Sequence, residues 1–576
     1  MRPKLQNLRA VIGPILVLLA SIPLGRPYLS PGHQIGHDRE VPYMRVNALK
    51  TALKEAQIPP RWFPDFDGGY GSPYPSFYAM AFYYPAALLN ILGVGEGAAL
   101  ELMAYLALVA SGLTMYMLGA RVCGRPSGLL AAVLYMYAPY HLVDAFVRGA
   151  YGELGAFVWF PLLAISLLTV GFKAGRLWTL LAAFAVAGLI LTHNLMAMIF
   201  LPTVLIVALV CLAVGSPMTL ALARKSLSRL GAALGLGLLL SAYFWLPLAI
   251  ENKFVRLDYF LQFDYRGDFV GLRNLVGYQA TPGFTTEAGV LLLIFSMMAI
   301  GLSFLVPLDR SKRAFLIVFF VAGLGNLWMT TRFSNWLWKT VPGLEFVQFP
   351  WRFLAPASFY LASTASALPW FASRKSVAWG IAGAGAVLAI AFHGRLANIA
   401  DRSFIEAIDS ARVCQEVWGT QDYRPIWSQT LFWTGSAPPV SAEANNVLEP
   451  CPAGVTAQAD VGLAINELVR SGREWKIEYS AEEEASIIVP MFYYPGWGAT
   501  VDGLPATVAY SSPNGLLVAH APRGTHRLAL SFHETWVRRL ANSLSLGGVA
   551  VATGILTSPR LRRRTADPAG RIEWCG

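Results

Sequence analysis

The sequence predicts a polytopic α-helical membrane protein of about twelve transmembrane helices, with an extracytoplasmic β-sandwich domain before the last helix. Three observations lead there. Of the 576 residues, 55% are hydrophobic and 14% charged, where a soluble domain carries roughly 25% charged residues. Apolar residues recur in blocks of the ~20-residue length that crosses a bilayer core. Residues 394–537 lose those blocks and take up short alternating patterns instead.

The spans are expected near 8–25, 98–120, 126–143, 154–172, 177–192, 195–214, 230–250, 287–307, 314–331, 351–372, 376–393 and 538–557. This divides the chain into a membrane module, 1–393, a β-rich domain, 394–537, and a last helix with a basic tail, 538–576. The N-terminus has the basic start and apolar core of a signal peptide, but no A-x-A site follows. It is expected to stay as the first span.

The apolar stretch 77–93 is ambiguous, being short and containing Pro85. Charge parity decides it. The net charge of +11 sits largely in clusters between spans: Arg121/Arg125, Lys173/Arg176, Arg224/Lys225/Arg229, Arg310/Lys312/Arg313, Arg374/Lys375 and Arg560 to Arg564. If 77–93 does not cross, every second connection carries one of these clusters and all of them face the cytoplasm, as the positive-inside rule requires. The stretch is then interfacial or re-entrant, both termini are cytoplasmic, and the polar segments share the outer face. Those segments are the loop 26–97, Val147–Glu153, Thr192–Asn194, 251–286, Glu345–Arg352 and 394–537. The same distribution argues against a nucleic-acid partner. No nucleotide-binding glycine loop, zinc-type Cys/His spacing or G-x-S-x-G elbow occurs.

In 394–537, "WKIEYS", "ASIIVPMFYY", "LPATVAY", "GLLVAHA" and "THRLALSF" read as strands, separated by turn signals such as "PGWGATVDG" and "SSPNG". A small sandwich accounts for them. Cys414 and Cys451 are the two cysteines expected outside, where a disulfide is permitted. Two unpaired thiols are the alternative.

Loop 26–97 opens with "GHDREVPYMR" directly after the first span. Val41, Met44, Ala48, Leu49, Ala52 and Leu53 recur at helical spacing, so an amphipathic helix is expected to lie on the membrane, closed by Pro59 and Pro60. Lys50 and Lys54 would face solvent or headgroups. Asp38 and Glu40 precede it at the membrane–water boundary, where partial desolvation suits a carboxylate to act as a base. Asp38 is equally placed to cap the helix, and a cap also fixes the carboxylate. Asp65 and Asp67 form a D-x-D pair that can hold a divalent metal. With Gly68, Gly69 and Gly71 following, an Asp-stabilised turn is the competing reading.

Arg148 with Glu153, His193 with Asn194, and Gln348 with Arg352 are polar groups near span ends, where they are costly and mark substrate sites by default. Arg148 and Arg352 suit bidentate phosphate binding, with Arg45 a weaker candidate. Alternatively, the two pair with Glu153 or Glu345. His193 is as readily a helix-end residue that satisfies freed backbone groups.

The segments "HDREVPYMRVNALKTALKEAQIPPRW", "GGYGSPYPSFY", "YMYAPYHLVDAFVRGAYGE", "LTHN", "VQFPWRFL" and "YYPGWGATVDG", in this order, resemble the GT-C class of integral-membrane glycosyltransferases. Within it they are closest to bacterial membrane proteins labelled 6-pyruvoyl-tetrahydropterin-synthase-related; no residues here support pterin chemistry. The resemblance implies a polyprenyl-phosphate sugar donor among membrane lipids and a glycan, lipid or protein acceptor. It implies transfer on the extracytoplasmic side of a bacterial inner membrane, with Asp38 as the base and no cofactor firmly implied. Some members carry two adjacent acidic residues at this point. Here Arg39 separates Asp38 from Glu40, which leaves the choice between them open. A transporter or flippase for a lipid-linked molecule is a rival, but the span interiors are almost uncharged and show no internal repeat. A non-catalytic scaffold would leave the opening loop without a role.

Overall fold

The computed structural model describes residues 2–30, 32–38, 40–173, 175–215, 219–257, 264–278, 283–399, 402–403, 423–428, 458–459, 462–471 and 473–558. It is a multi-pass helical bundle carrying antiparallel sheets before its last helix. The helices are α1 (Arg2–Gly25), α2 (Val41–Lys54), α3 (Tyr83–Ile91), α4 (Glu96–Cys123), α5 (Arg125–Met136), α6 (Pro139–Val143), α7 (Tyr151–Phe172), α8 (Arg176–Thr192), α9 (Asn194–Gly215), α10 (Leu220–Leu240) and α11 (Ala242–Glu251). They continue with α12 (Val290–Leu305), α13 (Arg310–Met329), α14 (Leu354–Ala365), α15 (Lys375–His393) and α16 (Trp536–Thr557).

Every expected span falls on a helix, but not all of these helices are long enough to cross a membrane on their own. Among the described residues, seven helices are long and apolar enough to cross, or nine if two bent pairs each count as one span. Those pairs are α5 with the segment to Arg148, bent by 49°, and α10 with α11, bent by 76°. Helices α8 and α12 are apolar but shorter. Hydropathy averages over a break as readily as over a straight helix, so the bends near Tyr137–Ala138 and at Ser241 left no mark on the pattern. Helix α3 has nine residues, about 14 Å at 1.5 Å per residue. That is too short to cross a ~30 Å core by itself.

The amphipathic helix of the opening loop exists as α2, but it is not a surface helix. The unbroken run Val41–Leu49 is buried, including Arg45 and Asn47, with Tyr74, Tyr78 and Tyr83 packed on Arg45, while Lys54 is exposed as expected. Lys50 pairs with Glu96 at 3.1 Å. Nor does Asp38 cap the helix. Glu40 occupies the N-cap position without a side-chain capping bond, and the Asp38 carbonyl accepts the Val41 N–H instead.

Strands β1 (His33–Gln34) and β2 (Arg402–Ser403) form a small antiparallel ladder. The remaining strands are β3 (Gln458–Ala459), β4 (Leu463–Ser471), β5 (Glu474–Ala481), β6 (Ala485–Phe492), β7 (Trp497–Val501), β8 (Leu504–Ala506), β9 (Val508–Tyr510), β10 (Leu516–Ala521) and β11 (Gly524–Phe532). They build a four-stranded sheet, order β3-β6-β10-β9, and a five-stranded sheet, order β4-β5-β11-β7-β8. Period-two alternation decides which face packs inward. In β5, Trp475, Ile477, Tyr479 and Ala481 are buried, while Glu474 and Lys476 are exposed. Asp502 and Gly503, both with positive φ, make the two-residue hairpin between β7 and β8, the turn chemistry that suits strand twist.

The sheets dock onto the opening loop. Trp62 packs among Tyr494, Trp497 and Phe532, and the Phe492 N–H donates to the Tyr70 carbonyl at 2.7 Å. Arg538 at the head of α16 is fully buried and donates to Glu251 of α11 at 2.9 Å.

Candidate active site

The polar residues singled out near span ends converge at one end of the bundle. Their assembly begins with two glycines. A Cβ on Gly36 would lie 2.1 Å from the Arg148 carbonyl oxygen, and Gly149 has a φ of +64°. Only glycines let these two stretches of backbone touch in this way. The Asp38 N–H then donates to the Arg148 carbonyl at 3.4 Å, which fixes Asp38 beside the turn that carries Arg148.

That turn, Asp144–Arg148, is a single wide π-helical turn, a departure found often at functional sites. It sets Asp144 and Arg148 side by side as an ion pair. Arg148 Nη1 also meets Glu153 Oε2 at 3.0 Å and donates to the Tyr140 hydroxyl at 3.1 Å. The Tyr140 hydroxyl in turn donates to Glu153 Oε1 at 2.5 Å. Arg352 Nε lies 3.5 Å from the same Glu153. Its Nη1 donates to the Val347 carbonyl at 2.7 Å and to Gln348 Oε1 at 3.1 Å. Gln348 has a φ of +65°, uncommon for a non-glycine residue. The Trp351 ring lies 4.6 Å beneath the Arg148 guanidinium. Of the two expectations for Arg148 and Arg352, the pairing with Glu153 is realised for both. Two arginines face two carboxylates, all buried.

Arg45 is arranged differently. It is 4% exposed and donates to three phenols: Nε to Tyr74 at 2.9 Å, and Nη1 to Tyr78 at 3.1 Å and Tyr83 at 2.9 Å. The Tyr78 ring lies 4.0 Å from its guanidinium. Asp38 Oδ2 is 4.0 Å from Arg45 Nη1, and 39% of its side chain is open to solvent. Among the described residues the Asp38 carboxylate accepts no hydrogen bond, and its oxygens are open to solvent. Glu40 sits half-buried at the start of α2.

His193 joins from the break between α8 and α9. Its Nδ1 accepts the Met196 N–H at 3.1 Å, so it caps α9. Burial drives its pKa down to about 3, and a neutral ring is what an accepting Nδ1 requires. A Cβ on Gly152 would meet the Tyr78 hydroxyl at 3.2 Å and the His193 ring at 3.3 Å, so the Arg45 and Glu153 clusters adjoin. Asn194 opens α9 half-buried. Among the described residues no hydrogen bond ties it to the cluster.

The D-x-D pair lies apart. Asp67 is buried and paired with Arg424 at 3.4 Å, and burial pushes its carboxyl up to about 6. Asp65 is half-buried on the preceding turn. Among the described residues no group of three or more His, Cys, Asp or Glu could hold a metal. Cys414 and Cys451 lie outside the described residues.

Sequence reasoning missed Asp144, Tyr140 and the three tyrosines. The i,i+4 spacing of Asp144 and Arg148 was a usable signal. The tyrosines were submerged in an apolar stretch.

No protein-family model matches the chain. A curated relative, an uncharacterised protein of Lactococcus lactis subsp. cremoris (strain MG1363), is 24% identical over 324 residues, covering 53% of this chain and 51% of its own. Among solved structures, the mycobacterial arabinofuranosyltransferase AftD is 18% identical, with 69% of this chain and 27% of that chain covered and a TM-score of 0.43. The Archaeoglobus fulgidus oligosaccharyltransferase in its apo form is 14% identical, with 67% and 55% covered and a TM-score of 0.42. ArnT from Cupriavidus metallidurans bound to undecaprenyl phosphate is 12% identical, with 66% and 63% covered and a TM-score of 0.39. The chain spans about half the length of the curated relative and less than two thirds of each of these structures. These structural neighbours are GT-C glycosyltransferases, the class that the sequence motifs resemble.

Proposed function

We propose that this chain is a GT-C-type glycosyltransferase of the bacterial inner membrane. It moves a sugar from a polyprenyl-phosphate donor to an acceptor hydroxyl on the extracytoplasmic side, with inversion. One observation carries the reading. Asp38 is a half-exposed carboxylate that accepts no hydrogen bond among the described residues, held at the edge of a buried cluster of three arginines.

Asp38 takes the proton of the acceptor hydroxyl as that oxygen attacks the anomeric carbon. The bond from that carbon to the phosphate oxygen breaks, and the lipid phosphate leaves with the electron pair as an anion. A single base suffices, because phosphate departs without protonation. Fixed positive charge near the leaving group stabilises the charge that develops there. The sheets, read as a sandwich, stand on the same outer face and brace the opening loop from above.

Asp38→Asn keeps size and removes the base. Transfer of labelled sugar from polyprenyl-phosphate donors into acceptor should fall about 10²–10⁴-fold, with insertion and donor binding preserved. Glu40→Gln is the control and should do much less harm. Near-normal transfer by Asp38→Asn alongside loss in Glu40→Gln would move the base to Glu40. Activity in both would remove the enzymatic reading of this stretch.

A further inference from the structure

The cluster contains three arginines, and their surroundings rank them. Arg148 and Arg352 share Asp144 and Glu153, so their charge is matched where they lie. Arg45 is buried as deeply, yet its hydrogen-bond partners among the described residues are the phenols of Tyr74, Tyr78 and Tyr83. A phenol is uncharged at neutral pH. Among the described residues, the carboxylate that pairs with Arg45 is Asp38, at 4.0 Å and partly open to solvent, where water screens it. Burying a cation among neutral groups is costly, and the cost falls when an anion arrives.

Building on the glycosyl-transfer reading, we infer that Tyr74, Tyr78 and Tyr83 are positioning residues that hold Arg45 as the cation receiving the lipid phosphate, with Arg148 and Arg352 left to shape the site. Each phenol oxygen accepts from the guanidinium, so the cage fixes Arg45 in place without neutralising its charge. Gly152 leaves room at the Tyr78 hydroxyl and the His193 ring, where a Cβ would crowd both. The cage is itself braced. Tyr423 packs edge-on against Tyr74 at 5.3 Å and stacks on Phe77 at 5.4 Å, while the next residue, Arg424, pairs with Asp67. The segment leading to the sheets therefore supports the tyrosines that hold Arg45.

The test measures binding of bare undecaprenyl phosphate to full-length protein in nanodiscs, with phosphatidylglycerol as a second arm. Tyr78→Phe and Tyr83→Phe keep the ring and remove one hydroxyl each. Each should weaken undecaprenyl phosphate binding about tenfold, the scale of one hydrogen bond to a charged group, and Arg45→Gln should weaken it about a hundredfold. Adding Tyr78→Phe to Arg45→Gln should bring no further loss, because the hydroxyl acts through the guanidinium. Phosphatidylglycerol binding should not change.

Tyrosine variants that bind undecaprenyl phosphate like wild type would overturn the inference. So would losses that simply add in the double variant, or an equal loss of phosphatidylglycerol. Wild-type protein that binds no undecaprenyl phosphate would overturn the donor reading as well, which separates the two failures.

Discussion

Gly36→Ala tests whether Asp38 works by position. The added Cβ would lie 2.1 Å from the Arg148 carbonyl oxygen and 2.7 Å from the Gly149 nitrogen, both backbone atoms that cannot rotate away. Restoring ordinary contact at 3.4 Å requires the two strands of chain to part by about 1.3 Å. The Asp38 N–H bond to the Arg148 carbonyl, already 3.4 Å long, then breaks, and the carboxylate two residues on shifts with it. A misplacement of about 1 Å can cost ~10²-fold in rate. The expected result is therefore a transfer rate about 10²-fold lower at saturating donor, with undecaprenyl phosphate binding within a few-fold of wild type. Gly95→Ala, whose Cβ would meet nothing within 4 Å, is the control and should transfer normally. Combining Gly36→Ala with Asp38→Asn should be no worse than Asp38→Asn alone, since both act through one carboxylate. Wild-type transfer by Gly36→Ala, or a double variant far below either single one, would refute the reasoning.

Two further outcomes follow from the buried charges. Glu153→Gln leaves Arg148 paired with Asp144 and takes from Arg352 its ion pair among the described residues, and unfolding in detergent should show a loss of about 3–5 kcal/mol, the scale for breaking a buried pair. Glu345→Gln, whose carboxylate pairs with neither arginine, should change stability by less than about 0.5 kcal/mol; equal losses would sink the assignment. Burial raises the Asp67 carboxyl from 3.8 to about 6, so the folded state holds that proton more tightly than the unfolded chain. Its stabilising effect is complete below about pH 4 and is lost as pH rises through 6, a difference of up to about 3 kcal/mol. Asp67→Asn should flatten that part of the melting profile between pH 4 and 7; an unchanged slope would assign it to another group.

How much of this was legible depends on the distance over which each feature is encoded. The spans were legible because a bilayer imposes length and apolarity on each helix separately. The breaks within them were not, because hydropathy does not register a bend. The Arg148–Glu153 pair could be read as an alternative because the two residues lie five apart. The Asp67–Arg424 pair could not, with its members 357 positions apart. The burial of α2 was hidden for the same reason. Arg45 lies between Val41 and Leu49 on its apolar face, and only the fold of residues 74–83 against that face brings the phenols that enclose the guanidinium.

That difference in range accounts for the reversed order of the arginines. Read from the sequence, Arg148, like Arg352, is a phosphate candidate near a span end. Yet the carboxylates that satisfy it are encoded beside it, at positions 144 and 153. Arg45 is, from the sequence, the weaker candidate. Its partners come from residues 29, 33 and 38 positions away, and they are neutral. A charge neutralised locally is easy to read and has little left to offer a ligand. A charge enclosed by distant neutral groups is hard to read, and its field remains available to the phosphate. The most informative residue of the site was therefore the one whose environment local spacing could not describe.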